Sequence, residues 1–178
     1  MASIVTLIDE PQRAAIENVW GELKAVFGLP QLRGATAPCF TWNTAQRFDD
    51  TALDKALTRV VAEATPPHAT TGQLALLRGL ECVLYIPVIA DDALLDMHAR
   101  IRDAVGSTAT GANAAYATDT WAPHISVAVG PMSEAEAEDV LPFLGIRDTS
   151  GRVPVTNLTV IPDSRSAPAS WRRFVFPA

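Results

Sequence analysis

Two five-residue stretches carry the side chains best suited to proton transfer. Ala37-Pro38-Cys39-Phe40-Thr41 and Ala122-Pro123-His124-Ile125-Ser126 share one pattern: Ala-Pro, a reactive side chain, an apolar residue and a hydroxyl. They lie 85 positions apart, close to half of the 178-residue chain. Imidazole titrates near neutrality and can give or take a proton under physiological conditions. A free thiol, with an ordinary pKa of ~8.5, can in principle do the same over a shorter reach. Both stretches read as strands, in which successive side chains alternate faces. His124 and Ser126 then share one face, opposite Ile125 and Val127, and Cys39 and Thr41 share another, opposite Phe40 and Trp42. If two such units pack about a pseudo-twofold axis, the polar pairs converge on a cleft and the apolar members enter a core.

The elements around these stretches repeat as well. A β-branched run at about 3–8 is followed, after Asp9 and Pro11, by Ala15, Ile16, Val19, Trp20, Leu23, Val26 and Phe27 at helical spacing, stopped by Gly28 and Pro30. Residues 39–45 read as extended, and Asp50 or Thr51 opens a second helix with Leu53, Ala56, Leu57, Val60 and Val61 on one face. Pro66-Pro67 ends it, and a strand near 68–77 follows. The order then recurs: a strand at 82–89, a helix opened by Asp91 or Asp92 with Leu94, Leu95, His98, Ile101 and Val105 facing inward, and a strand at 123–129. A helix from a Ser133/Glu136 capping box and strands near 153–161 and 172–176 complete the chain. Each half thus reads strand, helix, strand, helix, strand, and such internal repeats govern the whole fold. The Gly-, Ala- and Thr-rich stretch 106–120 reads as a long loop, of the kind that often carries function.

The segment Trp121-Ala-Pro-His-Ile-Ser-Val-Ala-Val resembles the His-x-Thr/Ser-x signature of the two-histidine (2H) phosphoesterases, including the aromatic-x-Pro lead-in. Val83-Leu-Tyr-Ile-Pro-Val, then Asp91, then Leu94-Leu-Asp-Met-His-Ala-Arg-Ile is similar to the strand and helix preceding that motif in bacterial 2'-5' RNA ligase-like proteins. The start, Ile4–Asp9 and a helix with Trp20 and Phe27, also resembles that group, so the likeness covers nearly the whole chain. It implies an α+β fold of two pseudo-twofold-related α/β lobes, with antiparallel-rich sheets enclosing a central cleft. The chain is then a single domain over 1–178, with approximate lobes 1–80 and 81–178. The resemblance further implies a phosphodiesterase working without metal or other cofactor on 2',3'-cyclic phosphates or 2'-5'-linked nucleotides. In that family two histidines flank a phosphate, one activating water or a ribose hydroxyl and the other protonating the departing oxygen. Carried over, His124 is one catalytic histidine, and Thr41 and Ser126 are the hydroxyls that bind phosphate oxygens. Cys39 stands where the other histidine belongs. Losing one general acid or base costs about 10²–10⁴-fold, which leaves two readings: an impaired or redirected enzyme, or a pseudoenzyme that binds a nucleotide or RNA end in the same cleft.

Plainer readings stand beside these. His124 is also an ordinary histidine at a strand start, and Cys39 a small buried apolar residue. Covalent catalysis by Cys39 with His124 as base needs a third, orienting residue that the sequence does not supply. His68 could swing into the cleft or simply pack, and His98, on the inner face of its helix, reads as structural. Trp42, Tyr116 and Arg33 are candidate substrate contacts, Trp42 and Tyr116 by stacking on a base and Arg33, like Arg47, by binding phosphate. Trp42, however, alternates toward the core side.

The bulk composition fits a small ligand. Net charge is −6, from 14 basic and 20 acidic side chains, which argues against a long nucleic-acid footprint but not against a small nucleotide or RNA terminus. The chain is 48% hydrophobic, enough for a sizeable core. No apolar run approaches the ~20 residues of a membrane span. With no basic leader and two lone cysteines, Cys39 and Cys82, the sequence reads as that of a cytoplasmic monomer with free thiols.

Overall fold

The computed structural model describes residues 1–28, 37–77, 82–130, 134–145, 148–163 and 166–177. The first repeat comprises β1 (Ala2–Leu7), α1 (Gln12–Phe27), β2 (Cys39–Phe48), α2 (Asp50–Glu63), β3 (His68–Thr71) and β4 (Ala75–Leu77). The second comprises β5 (Cys82–Ile89), α3 (Asp92–Val105), β6 (Ala109–Ala112), β7 (His124–Gly130), α4 (Glu134–Leu144), β8 (Gly151–Pro154), β9 (Asn157–Ile161) and β10 (Arg172–Val175). Helices and antiparallel strands mix as expected, and the strands join in a curled sheet of order β10-β9-β1-β2-β7-β5-β3-β8, with β4 on β5 and β6 on β2.

Local chemistry explains the helix bounds. The Asp91 carboxylate accepts from the Leu94 amide at 2.9 Å and caps α3. Asp49, not Asp50 or Thr51, caps α2: its backbone is extended and its carboxylate reaches the Ala52 amide at 2.8 Å, whereas Asp50 already lies within the helix. Gly28 ends α1 with a left-handed backbone at φ 64°, and its amide donates to the Leu23 carbonyl. The α2 face is buried through all five expected residues, Leu53, Ala56, Leu57, Val60 and Val61. On α1, Ile16, Val19, Trp20 and Leu23 are buried, while Val26 faces solvent. The Ser133 capping box lies outside the described residues.

The duplication extends to hydrogen bonding. β1 pairs antiparallel with β2, and β5 with β7. Each pair contains one register shift, between Ile4 and Val5 in β1 and between Leu84 and Tyr85 in β5, so that Trp42 and Val127 fall outside their ladders. These bulges occupy corresponding places in the two repeats. So do two loop bonds: the Ile8 amide donates to the Pro38 carbonyl at 2.9 Å, and the Val88 amide to the Pro123 carbonyl at 3.0 Å. Proline is accommodated there because the ladder uses its carbonyl and asks for no N–H.

The two repeats also exchange strands. β3 pairs with β5 and β8, while β9 pairs with β1 and β10. The expected strand 153–161 is broken at Val155 and Thr156, where the chain passes from the β3 edge to the β1 edge. The helices cross in the same sense: α1 contacts β7, and α3 contacts β2. The boundary near residue 80 separates the two sequence repeats, and strands of each repeat pair with strands of the other. β3 reaches β5 through a short local connection, which minimises the loop-closure cost of that pairing.

Candidate functional site

The two motif strands meet at one point. Phe40 of β2 pairs antiparallel with Ile125 of β7, and both side chains are buried. Antiparallel register around that pair places Cys39 toward Ser126 and Thr41 toward His124 on the opposite face of the sheet. There, Cys39, Thr41, His124 and Ser126 line one cleft of about 150 Å³, together with Ala37, Ala122, Pro123 and Tyr116. The sequence-level convergence of the two polar pairs is thus present in the fold.

His124 is exposed and stands edge-on to Tyr85, with ring centroids 5.6 Å apart and planes at 75°. Its Nδ1 lies 2.8 Å from the Ala122 carbonyl oxygen. A carbonyl only accepts, so Nδ1 carries the hydrogen and the neutral ring presents the Nε2 lone pair. A ring held in that tautomer is ready to take a proton.

Cys39 lines the cleft from β2. It is a free cysteine, partly exposed along its length, and desolvation pushes its pKa up to about 12. A thiol so placed stays neutral throughout the physiological range, which moves it away from acid–base exchange near pH 7.

The bulge in β2 is held by a buried aromatic stack. Because Trp42 leaves the β1 ladder, its carbonyl needs another partner. His98 of α3 provides it, with Nε2 3.1 Å from the Trp42 oxygen. The His98 ring stacks on Trp121 at 3.9 Å and 4°, and Trp121 stacks on Trp42 at 5.3 Å and 19°. The Trp121 indole donates to the Thr41 carbonyl at 2.9 Å. The stack therefore fixes consecutive carbonyls of β2 immediately beneath the cleft. Burial, reinforced by the nearby Arg102 charge, lowers the His98 pKa to about 4, so the ring is neutral.

The candidate substrate contacts separate. Trp42 is 0% exposed and donates its indole N–H to Thr6 Oγ1 at 2.8 Å; it is core and cannot stack on a ligand. Its place on the apolar face of β2, behind the cleft, is the cause. Arg33 lies outside the described residues. Arg47 sits toward the far end of β2, paired with Thr110 of β6, at a separate surface groove. His68 neither packs inside nor enters the cleft: it is exposed at the start of β3, opposite Pro154.

Tyr116 does line the cleft. Desolvation raises the pKa of its phenol, against a smaller opposing influence of the Thr41 side chain. The 106–120 stretch that carries it is ordered rather than a plain loop. β6 pairs with β2 through Ala45↔Ala112, Arg47↔Thr110 and Phe48↔Ala109. The Asn113 amide then donates to the Thr44 carbonyl at 3.0 Å, and its side chain accepts from the Ala115 amide at 3.0 Å, opening a single 3-10 turn over Ala114–Tyr116. Small residues without periodicity gave no signal for this strand. Among the described residues, no three His, Cys, Asp or Glu side chains gather in a way that could hold a metal ion. Nor is any described helix long and apolar enough to cross a membrane.

Helices on an antiparallel curled sheet are consistent with the 2H phosphoesterase fold. The model of the 2'-5' RNA ligase superfamily matches residues 36–166, and the chain belongs to that superfamily. Among solved structures the chain is similar to Kluyveromyces marxianus Usb1, with 9% identity, a TM-score of 0.54, and coverage of 98% of this chain and 97% of that one. It is similar also to the same protein with uridine monophosphate, at 11% identity, a TM-score of 0.52 and the same coverage. At those identities the likeness is one of fold. No curated protein sequence matches the chain significantly.

Proposed function

We propose that the chain is a phosphodiesterase acting on a 2',3'-cyclic phosphate or a 2'-5'-linked nucleotide at an RNA or nucleotide end, slowed by the replacement of one histidine. The observation that carries this reading is the Phe40–Ile125 pairing, which sets His124, Ser126, Thr41 and Cys39 around one cleft. His124 Nε2 takes the proton of the attacking water. The Thr41 and Ser126 hydroxyls donate to the phosphate oxygens as charge builds on them. Membership of the superfamily and the fold shared with Usb1, which has been seen with uridine monophosphate, support a nucleotide in this cleft. The cleft volume and the net charge of −6 suit a small ligand better than a long strand.

One observation favours a second reading. The second histidine position holds a thiol whose ionisation burial opposes, so a cleft that binds nucleotide ends without turning them over fits the same residues. Hydrolysis of the four 2',3'-cyclic nucleotides at high enzyme concentration, run beside His124→Ala, separates the two. Turnover lost in the variant supports the enzyme. Saturable nucleotide binding without turnover supports the binder.

A further inference from the structure

The cleft contains one proton acceptor in a defined tautomer, His124, and a wall from which the second imidazole is missing. Cys39 on that wall is shorter than an imidazole and reaches less far into the cleft. Tyr116 enters the same cleft from a different element. It lines that cleft together with Thr41 and Cys39 of β2. A phenol therefore lines the same cleft that His124 lines from β7. The residue is well anchored: its amide donates to the Asn113 carbonyl at 3.1 Å, Asn113 is tied to Thr44, and Thr120 Oγ1 donates to the Ala114 carbonyl at 2.7 Å.

We infer that Tyr116 supplies the proton to the departing oxygen, the role that Cys39 leaves open. The inference rests on the phosphodiesterase reading and gives its missing acid. As the attacking water forms its bond to phosphorus, its proton passes to His124 Nε2. The bond from phosphorus to the ribose oxygen breaks, and that oxygen takes the phenol proton. The phenolate then regains a proton from the His124 imidazolium through solvent, and both side chains return to their starting states. Burial keeps the phenol protonated at neutral pH, as a donor must be. A phenol is a weaker acid than an imidazolium, so turnover depends strongly on how readily the leaving group departs unprotonated.

The test compares the unmodified chain, Tyr116→Phe, Cys39→His and the double variant on uridine 2',3'-cyclic phosphate and on a uridine p-nitrophenyl phosphodiester, whose p-nitrophenolate leaves without a proton. The expected result is a loss of roughly 10²-fold or more for Tyr116→Phe on the cyclic phosphate and a much smaller loss on the nitrophenyl ester. The loss on the cyclic phosphate should also shrink when Cys39→His restores an imidazole. An equal loss on both esters, or one undiminished by Cys39→His, makes Tyr116 a structural or binding residue and overturns the assignment. Turnover that needs His124 but is untouched by Tyr116→Phe overturns the assignment alone. No turnover of either ester by the unmodified chain overturns it together with the phosphodiesterase reading.

Discussion

Phe40 and Ile125 pair across β2 and β7, each one residue beyond the reactive side chain of its own repeat. Among the described residues this is the pair that joins the two motif strands, and it is buried on the side away from the cleft. The approach of the two strands is therefore set by apolar packing, and the polar side chains are carried to the opposite face by alternation alone. Ile125→Ala is expected to lower stability by about 2–5 kcal/mol, and Ile125→Val by about 0.5–1.5 kcal/mol. Ile125→Ala should also weaken nucleotide binding, more than an equally costly truncation far from the seam such as Leu57→Ala. Urea unfolding alongside nucleotide titration measures both effects. Equal binding losses in the two truncations would leave the seam with a role in stability alone.

His124 is exposed, and its polar contact is with the Ala122 backbone next to it in sequence. Its removal should leave the fold almost untouched while removing the proton acceptor. His124→Ala is expected to lower turnover about 10²–10⁴-fold with a thermal midpoint close to that of the unmodified chain. A large drop in the midpoint would identify the residue as a structural histidine.

The duplicated element order, the shared Ala-Pro lead-in and the alternation of Cys39/Thr41 and His124/Ser126 were legible because each depends on local pattern: period, caps and turn residues. Strand exchange was not, because β3 and β9 would alternate identically against either partner. The order of 106–120 was hidden as well. Its small residues carry little amphipathic signal, and β6 exists through backbone bonding to β2. Trp42 shows the reverse case. Alternation assigned it to the core, the structure agrees, and its candidacy as a base contact came from residue type alone. The chemistry of Cys39 could not be read from residue type either, since desolvation by its surroundings decides it.

That desolvation has a direct consequence for reactivity. Thiolate is the species that reacts with alkylating agents, and a pKa of about 12 leaves almost none at pH 8. Labelling of Cys39 by iodoacetamide, followed by peptide mass spectrometry, is expected to be much slower than that of a free cysteine in solution and to keep rising with pH beyond 9. Unfolding in urea should abolish the difference. Rapid labelling of the folded chain at pH 7 would mean an accessible, ionisable thiol and would reopen Cys39 as an acid–base group.

The His98–Trp121–Trp42 stack adds a pH dependence to stability. His98 is fully buried, and its pKa falls from an ordinary 6.5 to about 4 in the fold, chiefly through desolvation. Between these values the unfolded chain binds a proton that the folded chain refuses, so stability falls as pH drops from about 6.5 toward 4 and this contribution levels off below it. At ~1.4 kcal/mol for each pH unit between the two values, the loss amounts to roughly 3 kcal/mol. His98→Phe should retain the stacking but lose both the bond to the Trp42 carbonyl and the ionisable ring, costing about 1–3 kcal/mol at pH 7 for the unsatisfied oxygen. Unfolding free energies measured at pH 7, 6, 5 and 4 should therefore converge between variant and unmodified chain as the pH falls. Parallel curves across that range would show that His98 binds its proton equally well in both states, and would remove the stack as a source of acid sensitivity.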